Sequence, residues 1–121
     1  MTWFRSTCLV LVLGAVTITH LHAHAFLDHA EPAVGSKAKQ VPHVVRIWFT
    51  EPIQPALSRI KVFDAMQKQI DKQDTHSNGG NNALLQVSLP SLGLGTYKVT
   101  WRAVSVDGHV TNGDFTFRLV P

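Results

Sequence analysis

The sequence predicts an all-β domain, a small Greek-key β-barrel or immunoglobulin-like sandwich of about seven strands. Three observations predict it. Short β-branched and aromatic runs alternate with polar residues, stretches rich in Gly, Pro and Asn separate those runs, and no segment holds a helical period over three turns.

The first run in chain order, Val44-Val45-Arg46-Ile47-Trp48-Phe49, has the β-branched and aromatic composition that packs on a pleated surface. Arg59-Ile60-Lys61-Val62-Phe63 alternates polar and apolar residues with period 2, so one face is expected buried and the other wet. Residues 83–89, 97–104 and 114–119 continue the pattern. Turn chemistry divides them at residues 31–36, 51–55, 77–82 and 92–95, each punctuated by Gly, Pro or Asn. The Ser77 to Asn82 stretch has little to bury and reads as a loop tip. Trp48, Phe49, Trp101, Phe115 and Phe117 are the expected core, because aromatic side chains on alternating strands bury the largest areas.

Residues 1–23 belong to a different regime. Arg5 supplies a positive start, and the apolar run Cys8-Leu9-Val10-Leu11-Val12-Leu13-Gly14-Ala15-Val16 is too short for a bilayer span, which is the pattern of a secretory signal peptide. A cut after Ala23 releases a chain that starts at His24. A cut after Ala25 is the better small-x-small match and releases one that starts at Phe26, so the signal by itself leaves both open. Removing 23 residues from 121 leaves 98, and the loss of Arg5 takes the formal charge from +3 to +2. That mild balance contains no basic run to suggest nucleic acid. The only cysteine, Cys8, leaves with the signal, so stability is expected to come from the core of one domain, 24–121, with no repeat and no second composition regime.

Of the seven histidines, His20 and His22 leave with the signal, and His24, His29, His43, His76 and His109 remain. An amino-terminal His24 offers two nitrogens from one residue, the free α-amine and the ring Nδ1, which close a chelate on one metal. With an amine pKa of about 7.7 to 8.0, few protons need be displaced near neutral pH, and affinity is expected to fall in acid. Asp107-Gly108-His109 adds a carboxylate and an imidazole two residues apart, on one face if the segment is extended. Three nitrogens and one oxygen in a tetragonal set favour Cu(II) over Zn(II). The competing reading of Asp107-Gly108 is a polar hairpin turn, and spacing alone weighs the two equally.

The stretches His24-Ala25-Phe26-Leu27, Pro32-Ala33-Val34-Gly35-Ser36, Ile47-Trp48-Phe49-Thr50-Glu51-Pro52 and, above all, residues 95–109 ending in Ser105-Val106-Asp107-Gly108-His109 resemble the CopC family of periplasmic copper-resistance proteins, including its YobA-like members. Gly113-Asp114-Phe115-Thr116-Phe117 extends the resemblance to the end of the domain. The resemblance implies a small Greek-key β fold that binds one Cu(II) ion per chain through a mature amino-terminal histidine and a D-x-H segment, here His24, Asp107 and His109. It therefore implies the cut after Ala23. Some relatives also carry a methionine-rich Cu(I) loop; this chain keeps only Met66 after the signal is removed, so soft thioether ligands are lacking.

A periplasmic copper(II) carrier or buffer in copper homeostasis or resistance is the expected function, exchanging the ion with an inner-membrane copper transporter or another periplasmic copper protein, as a monomer. It is not expected to be an enzyme, since no nucleophile beside a base, paired buried carboxylates or phosphate-binding glycine loop is present. Two other classes compete. One is a copper-brace oxidative enzyme, disfavoured because the short loops leave little room for a flat substrate face; the other is a metal-free immunoglobulin-like interaction module. His29, His43 and His76 are expected as surface histidines, and Arg102 as the outward residue of its strand more than as a partner of Asp107.

Overall fold

The structure, a computed structural model, describes Gly14 and residues 24–121; apart from Gly14, the segment expected as a signal peptide lies outside the described residues. Eight strands form: β1 (Leu27–Glu31), β2 (Lys37–Ala38), β3 (Val44–Phe49), β4 (Arg59–Phe63), β5 (His76–Ser77), β6 (Leu84–Ser88), β7 (Gly95–Val104) and β8 (Val110–Leu119). The only helical element among the described residues is the 3-10 turn Pro55–Leu57. The strands make two four-stranded sheets in the orders β1-β3-β6-β5 and β2-β8-β7-β4. The fold is all-β, as the alternation requires.

Side-chain parity decides the core. In β7, Tyr97, Val99, Trp101 and Ala103 point inward, and they meet Phe115, Phe117 and Leu119 of β8 and Val45, Ile47 and Phe49 of β3. Phe49 meets Trp101 edge to face, with ring centroids 5.4 Å apart. Gly113 lies opposite Trp101, and a Cβ there would come within 2.4 Å of the indole ring, so only glycine leaves the ring its place.

Trp48 departs from the expected core. It falls on the opposite parity from Ile47 and Phe49, stays half-buried on the outer face, and stacks on His29 of β1 at 4.3 Å and 8°. β1 is not foreseen from the sequence because Leu-Asp-His-Ala-Glu has no β-branched residue; pairing with β3 imposes the strand instead. The expected loop tip at Ser77 begins one residue later, since Ser77 pairs with Leu85.

The ten-residue strands β7 and β8 pair along their whole length, from Gly95 opposite Leu119 to Val104 opposite Val110. Their connecting turn, residues 105–109, stands at one end of the sandwich, beside the start of the described chain.

Candidate metal centre

Of the two readings of Asp107 and His109 that spacing weighed equally, an extended face and a hairpin turn, the structure has the turn. The two residues occupy the tight connection between β7 and β8, where Gly108 adopts φ +87, a left-handed conformation that a side chain strains. The turn reading and the ligand reading thus describe the same residues: the turn itself brings His109 Nδ1 to 3.1 Å from Asp107 Oδ2.

Ser105 organises this turn, and sequence reasoning gave it no role. It is 1% exposed, its hydroxyl donates to Asp107 Oδ1 and accepts from His109 N at 3.1 Å, and its own N–H donates to His109 O at 2.9 Å. Its carbonyl accepts from Gly108 N and from the Gln54 side-chain amide, each at 2.9 Å. A serine two residues before Asp-Gly is the available signal, because short hydroxyl side chains bond the backbone just ahead of them in turns. Hydrogen bonds from Ser105, then from His109, hold the Asp107 carboxyl down at about 2, well below its ordinary value. The carboxylate is thus ionised wherever the protein is folded under ordinary conditions.

His24 arrives from the other side. Ala25 is fully buried, and its carbonyl accepts a hydrogen bond from the Thr111 hydroxyl, one residue into β8 from Val110. Phe26 N donates to Thr50 Oγ1 at 3.0 Å, and Thr50 N donates back to Phe26 O at 2.8 Å. These bonds lay residues 24–26 along the hairpin, and the His24 ring comes to 4.8 Å from the His109 ring. Loop 50–55 braces both sides: Thr50 holds Phe26, Ile53 bridges to Ser105, and Gln54 N donates to Val104 O at 2.7 Å.

The two rings are near each other and Asp107 is beside His109, yet among the described residues no three His, Cys, Asp or Glu side chains gather as a ready-made cage. The reason is local, since both carboxylate oxygens of Asp107 are turned back into the hairpin, one to Ser105 and one to His109. The site is also open, with the His109 and Asp107 side chains 34% and 41% exposed. Concavities lie elsewhere, one of them lined by Phe63, Asp64, Gln67, Thr96, Lys98 and Thr100.

The remaining histidines sit outside this cluster. His29 pairs with Asp28 at 2.7 Å and stacks on Trp48, and His76, on β5, has its Nδ1 2.6 Å from Asp74 O. His43 is exposed. Arg102 points outward and donates to Leu57 O at 2.8 Å.

Comparison with known proteins identifies the family. A family profile described as the CopC domain matches residues 27–120. The chain is 32% identical over 110 residues to protein YobA of Escherichia coli (strain K12), covering 90% of this chain and 89% of that one. It is 30% identical to copper resistance protein C of Pseudomonas syringae pv. tomato, over 95% of this chain and 96% of the relative. The crystal structure of CopC from Methylosinus trichosporium OB3b superposes with a TM-score of 0.76 at 28% identity, covering 81% of this chain and 95% of that one.

Proposed function

The chain belongs to the CopC family, and from that premise we propose that it is a periplasmic copper(II)-binding protein, a carrier or buffer in copper homeostasis or resistance. Residues 1–23 are its signal peptide, and export creates the site by cutting after Ala23. The new α-amine and ring of His24 chelate one ion, His109 supplies a third nitrogen, and Asp107 supplies the oxygen.

The single observation that carries this reading is the anchoring of Ala25. A cut after Ala25 would remove a fully buried residue and the carbonyl that Thr111 bonds, whereas a cut after Ala23 keeps both. It also leaves the His24 and His109 rings 4.8 Å apart, near enough for a nitrogen of each to reach one shared ion through bonds of about 2.0 Å. His109 Nδ1 is buried 3.1 Å from Asp107 Oδ2, so the ligating nitrogen is Nε2. To ligate the same ion, Asp107 leaves both Ser105 and His109 Nδ1 and swings its carboxylate to the Nε2 side of the ring. The chain performs no chemistry on the ion: the open rim suits uptake and release, and the recipient is an inner-membrane transporter or another periplasmic copper protein.

Isothermal titration with Cu(II) near pH 7, together with electron paramagnetic resonance, tests this. A monomeric chain that starts at His24 takes up one equivalent with a nitrogen-rich tetragonal spectrum. Equal binding by a chain that starts at Phe26 would sink the proposal.

A further inference from the structure

The outer faces of the two sheets differ in charge. On the β1-β3-β6-β5 sheet the outward residues satisfy one another: His29 stacks on Trp48, Arg46 donates to Gln86 at 3.2 Å and lies 3.6 Å from Glu31. The β2-β8-β7-β4 sheet instead turns Lys37, Arg59, Lys61, Lys98, Arg102 and Arg118 outward, all exposed. Among the described residues none of these six forms an ion pair.

Charge is distributed unevenly in a chain of small net charge. Residues 24–121 hold ten of the eleven Lys and Arg, all but Arg5, and all eight Asp and Glu. Six of those ten cations share this face with Asp114 on its strands, and Asp64 and Asp71 border it, lining hollows with Lys98 and with Arg59 and Lys61; with all three carboxylates counted the face is at +3 and the rest of the domain at −1. Asp64, just beyond β4, has Oδ1 occupied by the N–H groups of Met66 and Lys68. Register aggravates the repulsion, because Arg59 pairs with Arg102 and Lys37 with Arg118. Like charges directly opposite destabilise a sheet, so the fold carries a cost that an outside anion relieves.

We infer that this face is a docking surface for an anionic phospholipid bilayer. Arg59, Lys61 and Arg102 line one hollow of this face and Lys98 another, while Lys37 and Arg118 lie on the other two strands, so the six cations span all four strands, about 4.8 Å apart, and exceed what one small anion covers. Thr96, Thr100 and Thr116 lie on the same face and offer hydroxyls to phosphate oxygens. The exposed aromatic anchors that mark a protein interface are absent among the described residues of this face, since Phe63 is half-buried at the end of β4. A domain lying on this sheet holds its strands along the membrane plane. The 105–109 turn is then at the edge of the contact, open sideways, where a membrane-embedded recipient reaches it.

The inference is independent of copper, so its test uses the metal-free chain beginning at His24. Co-sedimentation is measured with vesicles of equimolar phosphatidylglycerol and phosphatidylcholine, and with phosphatidylcholine alone. Binding is expected to the anionic vesicles only and to vanish at high salt, where charges more than a few ångströms apart are screened. Lys61→Glu/Lys98→Glu weakens it on the order of tenfold or more, while Lys68→Glu/Lys72→Glu, in the connection outside the sheet, retains most of it despite the same change in net charge. No binding to anionic vesicles at low salt, or equal loss in the two double variants, overturns the inference and leaves an acidic protein as the occupant of the face.

Discussion

Asp107 and His109 stand on a hairpin held by ten cross-strand pairs, whereas His24 hangs beside them from one buried alanine and a few bonds to Thr111 and Thr50. The hairpin half is made by folding alone. The amino-terminal half depends on folding and on where the chain is cut, because the proposed chelate uses an amine that an uncut chain does not have. Substitutions in the hairpin half should therefore alter stability and copper affinity together, and changes at the terminus should alter affinity alone.

The largest expected effect is at the terminus. One extra residue before His24 removes the free α-amine without touching a buried group, and copper affinity should fall by more than about 100-fold, the upper range for losing an outer partner of a metal ligand. The melting temperature of the metal-free chain should hardly move. His109→Ala should match that loss of affinity by titration; if it does not, the two rings do not share an ion.

Ser105→Ala comes next and should break the separation between stability and binding. Asp107 Oδ1 loses its donor and His109 N its acceptor, both bonds made by the buried Ser105 hydroxyl to a more open turn, so stability should fall by about 1 kcal/mol in denaturant melts. Copper affinity should fall roughly tenfold, as for loss of a group that orients a ligand. Thr111→Val is milder in its effect on copper. It removes the hydroxyl bonded to Ala25 O at nearly constant volume, for about 1 kcal/mol and a few-fold in affinity, and it should broaden the His24 ring signals in NMR while leaving those of Asp107 sharp.

How much of this was legible in the sequence follows the same division. The hairpin residues were legible because Asp107-Gly108-His109 is a compact pattern, and the strand alternation around it, 97–104 and 114–119, lies inside β7 and β8. Their meeting was not, since spacing weighed an extended face and a hairpin turn equally, and the pair meets through the turn. Ser105 was hidden because a serine near Asp-Gly is ordinary turn composition, and its value lies in burial that a loop residue does not announce. The signal pattern by itself left the cuts after Ala23 and after Ala25 both open, because a small residue at the end of a leader looks like a cutting point; the burial of Ala25, which supports the proposed cut after Ala23, is not announced by the local sequence. Trp48 shows that hydrophobicity without parity misplaces a ring by one face.

The smallest expected effect concerns acid, and it separates the halves by pH. Asp107 is held at about 2 in the folded chain by Ser105 and His109, against an ordinary value of 3.8 when unfolded. A depressed carboxylate contributes stability above its unfolded value, and that contribution fades as pH falls from about 4 toward 2. The melting temperature of the metal-free Asp107→Asn chain should thus sit slightly below that of the unaltered chain from pH 5 to 7, with the gap closing near pH 2. Copper, by contrast, should leave above pH 4, while Asp107 is still ionised, because protons compete for the nitrogen donors and the terminal amine is among them. A copper-release midpoint that tracks the Asp107 titration, with the nitrogen donors unchanged, would assign the acid sensitivity to the hairpin and deprive the terminus of its separate role.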